Sequence, residues 1–324
     1  MLWNYRPASV RINRSMLKRI YVSNFRNLVN FELCPGELSL LMGPNGSGKS
    51  AVLDLLARLC AYVVEGASVD SLFPEAKFNR WAQGEEVRQV HELDLAANGG
   101  RYRYRLVLRL LRSTGQVRME EEQLRFQDHE LFRFGIEEGE AKAQLFRDGG
   151  AKGPETLANW SLSGVGFLQA RPQNRELVAF REALAKVYVV RLSAAAMAES
   201  GGETMREAGM PLPDLSNFAS WYLYVLQEAT DQVFATTEAL RERLPGFLAL
   251  PEIQPWLDAL YDQVEDQRLQ GLLVSHHPRL INMLADDAGF WLQQDPSAGF
   301  ARISRTIRGE DTDGLPVSQL VERG

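Results

Sequence analysis

Eight consecutive residues, Gly43-Pro44-Asn45-Gly46-Ser47-Gly48-Lys49-Ser50, have the spacing of a phosphate-binding loop: a glycine, four residues, then Gly-Lys-Ser. Glycines let the backbone turn until successive N–H groups face phosphate oxygens, and a helix starting there adds the positive end of its dipole. Lys49 is expected to reach the β and γ phosphates, and the Ser50 hydroxyl to complete the shell of a magnesium ion bridging them. The expected ligand is ATP with Mg2+, because no Asn-Lys-x-Asp guanine-reading motif occurs in the chain. Glycine-rich turns before helices are common without any ligand, and the Lys-Ser ending is what separates this one from them.

The elements that must position the loop are legible around it. Leu38-Ser39-Leu40-Leu41-Met42 reads as a buried strand, and Ala51 to Tyr62 has helical periodicity, so strand, loop and helix come in the required order. Upstream, Leu17 to Leu28 reads as a strand entering a turn and Val29 to Leu33 as a second strand. Downstream, strands are expected at Val87–Leu95, Tyr102–Leu111, Val117–Phe126 and Glu130–Ile136, with Asn98-Gly99-Gly100 as a hairpin turn. Arg101, Arg103, Arg105 and Arg109 alternate with apolar residues and form a row on one face; a solvated face and a DNA-backbone contact both fit. Gly135 to Pro154 reads as an exposed excursion, Arg175 to Lys186 as a helix, Val187 to Leu192 as a buried strand, Ala194 to Pro213 as a mobile loop and Asn217 to Leu244 as a helix.

The chain has 324 residues, 45% hydrophobic, with a formal net charge of −6, which suits one large or two small globular domains and disfavours bulk electrostatic coating of nucleic acid. Its two cysteines, Cys34 and Cys60, show no metal-ligand spacing and suit a reducing cytoplasm. No apolar run approaches a membrane span, so no membrane partner is expected. Residues 1–15 read as a leader or tag-like segment.

Leu17 through Asn24-Phe25-Arg26-Asn27, followed by Gly43–Ser50, resembles the opening of the RecF, SMC and OLD-type ATPases, ABC-like heads also described as AAA-family ATP-binding proteins. The resemblance implies a P-loop ABC-like α/β head with a mixed central sheet, an adjoining antiparallel sheet and a helical subdomain. It makes Arg26 a candidate contact to phosphate or ribose; a solvated surface arginine is the alternative. The strand-turn-helix pattern over Leu269–Leu284 resembles the switch-histidine segment of such heads, here Ser275-His276-His277-Pro278, and implies that His276 contacts the γ-phosphate and the attacking water. A histidine pair at a strand end also suits helix capping or a metal. Gln169 could be the magnesium-sensing glutamine of such a head or a plain loop residue. No apolar heptads persist, so the long arms of SMC proteins are not expected and the head is of the compact kind.

One motif of that pattern is missing. The resemblance requires an apolar strand ending in Asp-Glu, yet downstream of residue 190 no four apolar residues precede two acids, and the serine-glycine signature is absent too. Either hydrolysis has been lost, or a block between about Phe247 and Leu250 is missing; the surviving segment after the gap favours the second. The expected organisation is one discontinuous head: 16–192 as an N-terminal lobe, 193–247 as a helical segment and 248–324 as a C-terminal lobe. The expected function is ATP binding and hydrolysis, with two heads self-associating through ATP, in DNA repair or bacterial antiviral defence with an effector such as a nuclease. A nucleotide-gated binding module without hydrolysis and the soluble subunit of an ABC transporter are the competing expectations.

Overall fold

A computed structural model of the chain describes residues 15–137, 139–157, 159–190, 260–266, 269–276, 278–295 and 299–305. The expected helix over 217–244, the loop over 194–213, residues 1–14 of the leader and the gap near 247–250 lie outside these residues. The chain divides into two units, one of Met1–Lys186 with Val264–Gly324 and one of Val187–Gln263. In the second unit, residues 187–190 form no regular element and residues 260–263 are helical.

The first unit holds two sheets. Strands β1 (Met16–Ser23), β2 (Phe31–Leu33), β4 (Glu86–Ala97), β5 (Gly100–Leu111), β6 (Gln116–Phe126), β7 (His129–Glu137), β8 (Glu140–Phe146) and β9 (Lys152–Leu157) form an antiparallel sheet in the order β2-β1-β4-β5-β6-β7-β8-β9. The other sheet has the order β10-β3-β11-β12, from β3 (Leu38–Met42), β10 (Gly271–Val274), β11 (Gly289–Gln294) and β12 (Ala301–Arg305). Here β10 and β11 run parallel to β3 on either side, and β12 pairs antiparallel with β11. Residues more than two hundred positions apart in the chain thus flank the loop strand.

The helices follow from apolar spacing. Helix α1 (Lys49–Cys60) buries Val52, Leu55, Leu56 and Leu59, a stripe at helical spacing. It runs on as a π-helical turn over Ala61–Glu65 and stops at Gly66, whose φ of 73° is in the left-handed region. Two short turns follow, α2 (Val69–Leu72) and a 3-10 turn at Glu75–Lys77. Helix α3 (Gly164–Phe167) is one turn, and α4 (Arg175–Leu184) lays Phe180 against Tyr102 and Tyr104 of the large sheet, with ring centroids 5.5 and 5.6 Å apart. Helix α5 (Pro278–Ala288) joins β10 to β11 and buries Ile281, Leu284, Ala285 and Ala288.

Two expectations are corrected. Gly135–Pro154 is no excursion: most of it pairs as β7, β8 and β9 and extends the large sheet. The signal was hidden because β8 is half charged or small and a register shift between Gln144 and Phe146 breaks its alternation. Residues 187–190 carry no strand pairing, and Tyr188 and Val190 are 42% and 37% exposed. The run has strand composition, but a ladder needs a neighbouring strand, which composition does not supply.

The arginine row does lie on one face of β5. Three of its four members are matched by acids on adjacent strands: Arg101 pairs with Asp94, Arg105 with Glu92 and Glu121, and Arg109 with Glu86. Arg19 with Glu32 and Arg88 with Glu120 continue the pattern on β1 and β4. Cross-strand matching of this kind describes a charge-balanced solvated face.

Candidate functional site

The site lies at the C-terminal edge of the parallel strands, where ligands bind in open α/β sheets. Gly43, Gly46 and Gly48 all have positive φ, at 134°, 82° and 106°, so the loop's path depends on glycine at three of its eight positions. Packing restricts two of them further. A Cβ on Gly43 would stand 1.9 Å from the Leu292 carbonyl oxygen of β11, and one on Gly48 would stand 3.0 Å from Leu28 and 3.1 Å from Ala301. Pro44, Asn45 and Gly46 form the exposed crest, and Ser47 is buried beneath it.

Lys49 folds back under this crest. Its Nζ donates to the carbonyl oxygens of Gly43 at 2.7 Å and Pro44 at 2.8 Å, with Ser47 Oγ at 3.4 Å, and the residue is 4% exposed. Burial pulls the ammonium's pKa down, the direction expected when its partners are neutral oxygens and no carboxylate among the described residues balances it. A cation held this way gains from an arriving anion. Ser50, one residue on, is exposed in the first turn of α1. The glycine path and the buried ammonium suit a phosphate chain; the described residues contain no group of three or more acidic, histidine or cysteine side chains suited to a metal.

His276 comes to the same place through strand register. Val274 of β10 pairs with Leu41 of β3, so the next two residues rise to the level of Met42 and Gly43. The imidazole's pKa is lowered, first by partial burial and second by the Lys49 ammonium, so the two groups feel each other's field. His277 lies outside the described residues.

Arg26 sits in a turn held by left-handed backbone at Asn24 and Arg26, with φ of 64° and 51°. Its guanidinium meets Asp54 of α1 at 2.7 Å rather than standing free. Asp54 also takes Arg58 at 3.1 Å and Lys77 at 3.5 Å. Asn27, the next residue, donates from Nδ2 to the Gly46 carbonyl at 2.9 Å and accepts at its own carbonyl from Ala301 N at 2.8 Å, tying the turn, the loop and β12 together.

Behind the turn, Gln89 donates from Nε2 to the carbonyls of Asn24 and Lys77 at 2.9 and 3.1 Å. That fixes its amide oxygen toward His91 Nε2, 2.9 Å away, so the imidazole donates there, and burial keeps the ring neutral. Asp54, Lys77, Asn27 and Gln89 were not singled out from the sequence as site residues. Only the Asp54–Arg58 spacing of four on one helix was a signal; the other partners are far apart in the chain. Gln169 accepts at its backbone carbonyl from Asn174 Nδ2 at 2.9 Å, an ordinary loop contact.

Residues 26–92 match the family model of the ABC transporter. This segment runs from Arg26 through the loop and α1 into β4. Among solved structures, similarity is found to the recombination mediator protein RecF of the RecFOR pathway, at 14% identity over 79% of this chain and 51% of that one, TM-score 0.29. The SMC head domain from Thermotoga maritima matches at 10% identity over 90% of this chain and 98% of that one, TM-score 0.38. An SMC head bound to the C-winged helix domain of ScpA matches with the same figures, 10%, 90%, 98% and 0.38. The chain spans about half the length of the RecF chain it matches. No curated protein matches the sequence. The family match thus covers the loop and the elements on either side of it, 67 of the 324 residues.

Proposed function

We propose that the chain is an ABC-like head that binds Mg2+-ATP at Gly43–Ser50 and hydrolyses it, with His276 at the terminal phosphate. The observation that carries the reading is the Lys49 ammonium, buried against the Gly43 and Pro44 carbonyls and felt by His276. On nucleotide binding, Lys49 exchanges those carbonyls for β- and γ-phosphate oxygens, and the loop N–H groups take the rest of the charge. Bound magnesium would supply further charge neutralisation, with Ser50 as its protein ligand. His276, kept neutral at pH 7 by its lowered pKa, offers a ring nitrogen as acceptor to the attacking water. Arg26 supplies a second cation one exchange away, by leaving Asp54 for a phosphate oxygen or ribose hydroxyl.

Steady-state phosphate release from Mg2+-ATP tests this reading. Turnover in the wild type that falls at least about a hundredfold in Lys49→Ala and clearly in His276→Ala supports it. ATP binding with no turnover in the wild type overturns hydrolysis and leaves a nucleotide-gated binding module. One observation favours that second reading: no run of four apolar residues followed by two acids occurs after residue 190.

The wider role follows from the resemblance to RecF and SMC heads: two heads closing on ATP, in DNA repair or antiviral defence with a separate effector. A transporter's soluble subunit is the third reading, and co-purification with a membrane protein would select it.

A further inference from the structure

We infer that Trp81 is the stacking platform for the base of the nucleotide whose phosphates the loop holds, an inference that rests on the reading above. Trp81 is 46% exposed, which leaves ring surface open to a flat ligand. Two independent routes of contact bring it to the loop.

The first runs through its own backbone. The buried Asn79 side chain accepts from Trp81 N at 2.8 Å and Ala82 N at 3.1 Å, fixing the turn that carries the indole. Asn79 N in turn donates to the Asn24 carbonyl at 2.9 Å, so this turn hangs on the one that presents Arg26 and Asn27. Asn27 holds Gly46.

The second runs through the side chain. Indole Cη2 lies 3.4 Å from where a Cβ on Gly299 would be. Gly299 belongs to the β11–β12 connection, and because β11 is parallel to β3, that connection leaves the sheet at the loop's end. Two residues further, Ala301 touches Gly48 and donates its N–H to Asn27. Both routes end on residues that hold the loop itself, Asn27 against Gly46 and Ala301 against Gly48.

Its chemistry suits a base. The Arg80 guanidinium lies over the ring, 4.0 Å from its centroid, fixing the indole from one side and adding positive charge near the nucleotide. A flat purine can stack on the exposed remainder. Stacking reads no hydrogen-bond pattern, so Trp81 strengthens ATP and GTP alike and contributes nothing to a bare triphosphate.

Equilibrium binding of Mg2+-ATP and Mg2+-tripolyphosphate to wild type, Trp81→Ala and Trp81→Phe tests the assignment. Stacking predicts that Trp81→Ala weakens ATP by about tenfold while tripolyphosphate changes by less than about twofold, and that Trp81→Phe recovers most of the ATP affinity. Unchanged ATP affinity in Trp81→Ala overturns the inference, and so does an equal loss of both ligands, which would make Trp81 a structural residue. A wild type that binds neither ligand overturns the phosphate-site reading itself, a pattern distinct from either.

Discussion

Arg26 Nη2 lies 2.7 Å from Asp54 Oδ2, which locks the turn before the loop strand to the helix after the loop. Burial opposes the charge on Asp54, but Arg58, Arg26 and Lys77 overcome it and hold the carboxyl below the usual range. A carboxyl depressed in this way stabilises the fold above its unfolded pKa, and the contribution is lost as pH falls through the folded value. Asp54→Asn leaves three cations without their shared anion and should cost about 2 kcal/mol at pH 7 in denaturant unfolding. The gap between variant and wild type should narrow below about pH 4. An equal gap at pH 7 and pH 3 would assign the effect to packing.

His91 also makes the fold less stable as pH falls, but because its buried form is the neutral one. It is fully buried between Phe25 and Phe73, with its pKa pushed down to about 3 by desolvation. The unfolded chain takes up this proton near pH 6.5, so stability is full above that value and falls toward pH 3, by at most about 1.4 kcal/mol per pH unit from this group. His91→Leu should remove that share of the slope between pH 6 and pH 4. An unchanged slope would show that His91 is not its source.

Gly43 is fixed twice over, by a φ of 134° and by the Leu292 carbonyl. Gly43→Ala must push β3 and β11 apart and should cost at least about 3 kcal/mol by thermal or denaturant unfolding. Gly46→Ala is a useful contrast, because a Cβ there meets nothing within 4 Å and only the backbone cost remains. Equal losses in the two variants would contradict the packing argument.

The matched charges across the outer face of the large sheet predict little from single changes there. Arg109→Ala removes one pair with Glu86 and should alter stability by less than about 1 kcal/mol. The same variant should leave duplex DNA affinity unchanged in a filter or anisotropy assay at low salt. A clear loss of DNA binding would instead mark this face as the contact surface for nucleic acid.

The phosphate-loop strand, Leu38–Met42, was legible residue for residue because an apolar run ending at a glycine-rich turn admits few alternatives. The hairpins up to β7 were legible for a similar reason: long alternating strands joined at Asn98-Gly99 state their own register. Strands β8 and β9 were not, since Glu140-Ala-Lys-Ala has no apolar alternation to read. The supports of the site were hidden for a different reason. Asp54 gathers Arg26 and Lys77, and Gln89 reaches Asn24, only after the sheet folds these segments together. The sequence singled out His276 by resemblance to a motif, while the parallel register of β10 and β3 that carries it to the level of the loop came only with the fold.

Titration of the purified chain with Mg2+-ATP by calorimetry, alongside Lys49→Ala, tests the central claim most directly. The account predicts saturable one-to-one binding in the wild type and at least about tenfold weaker binding once the buried ammonium is gone. Equal affinity in the two proteins, or no binding to a folded wild type, would contradict it.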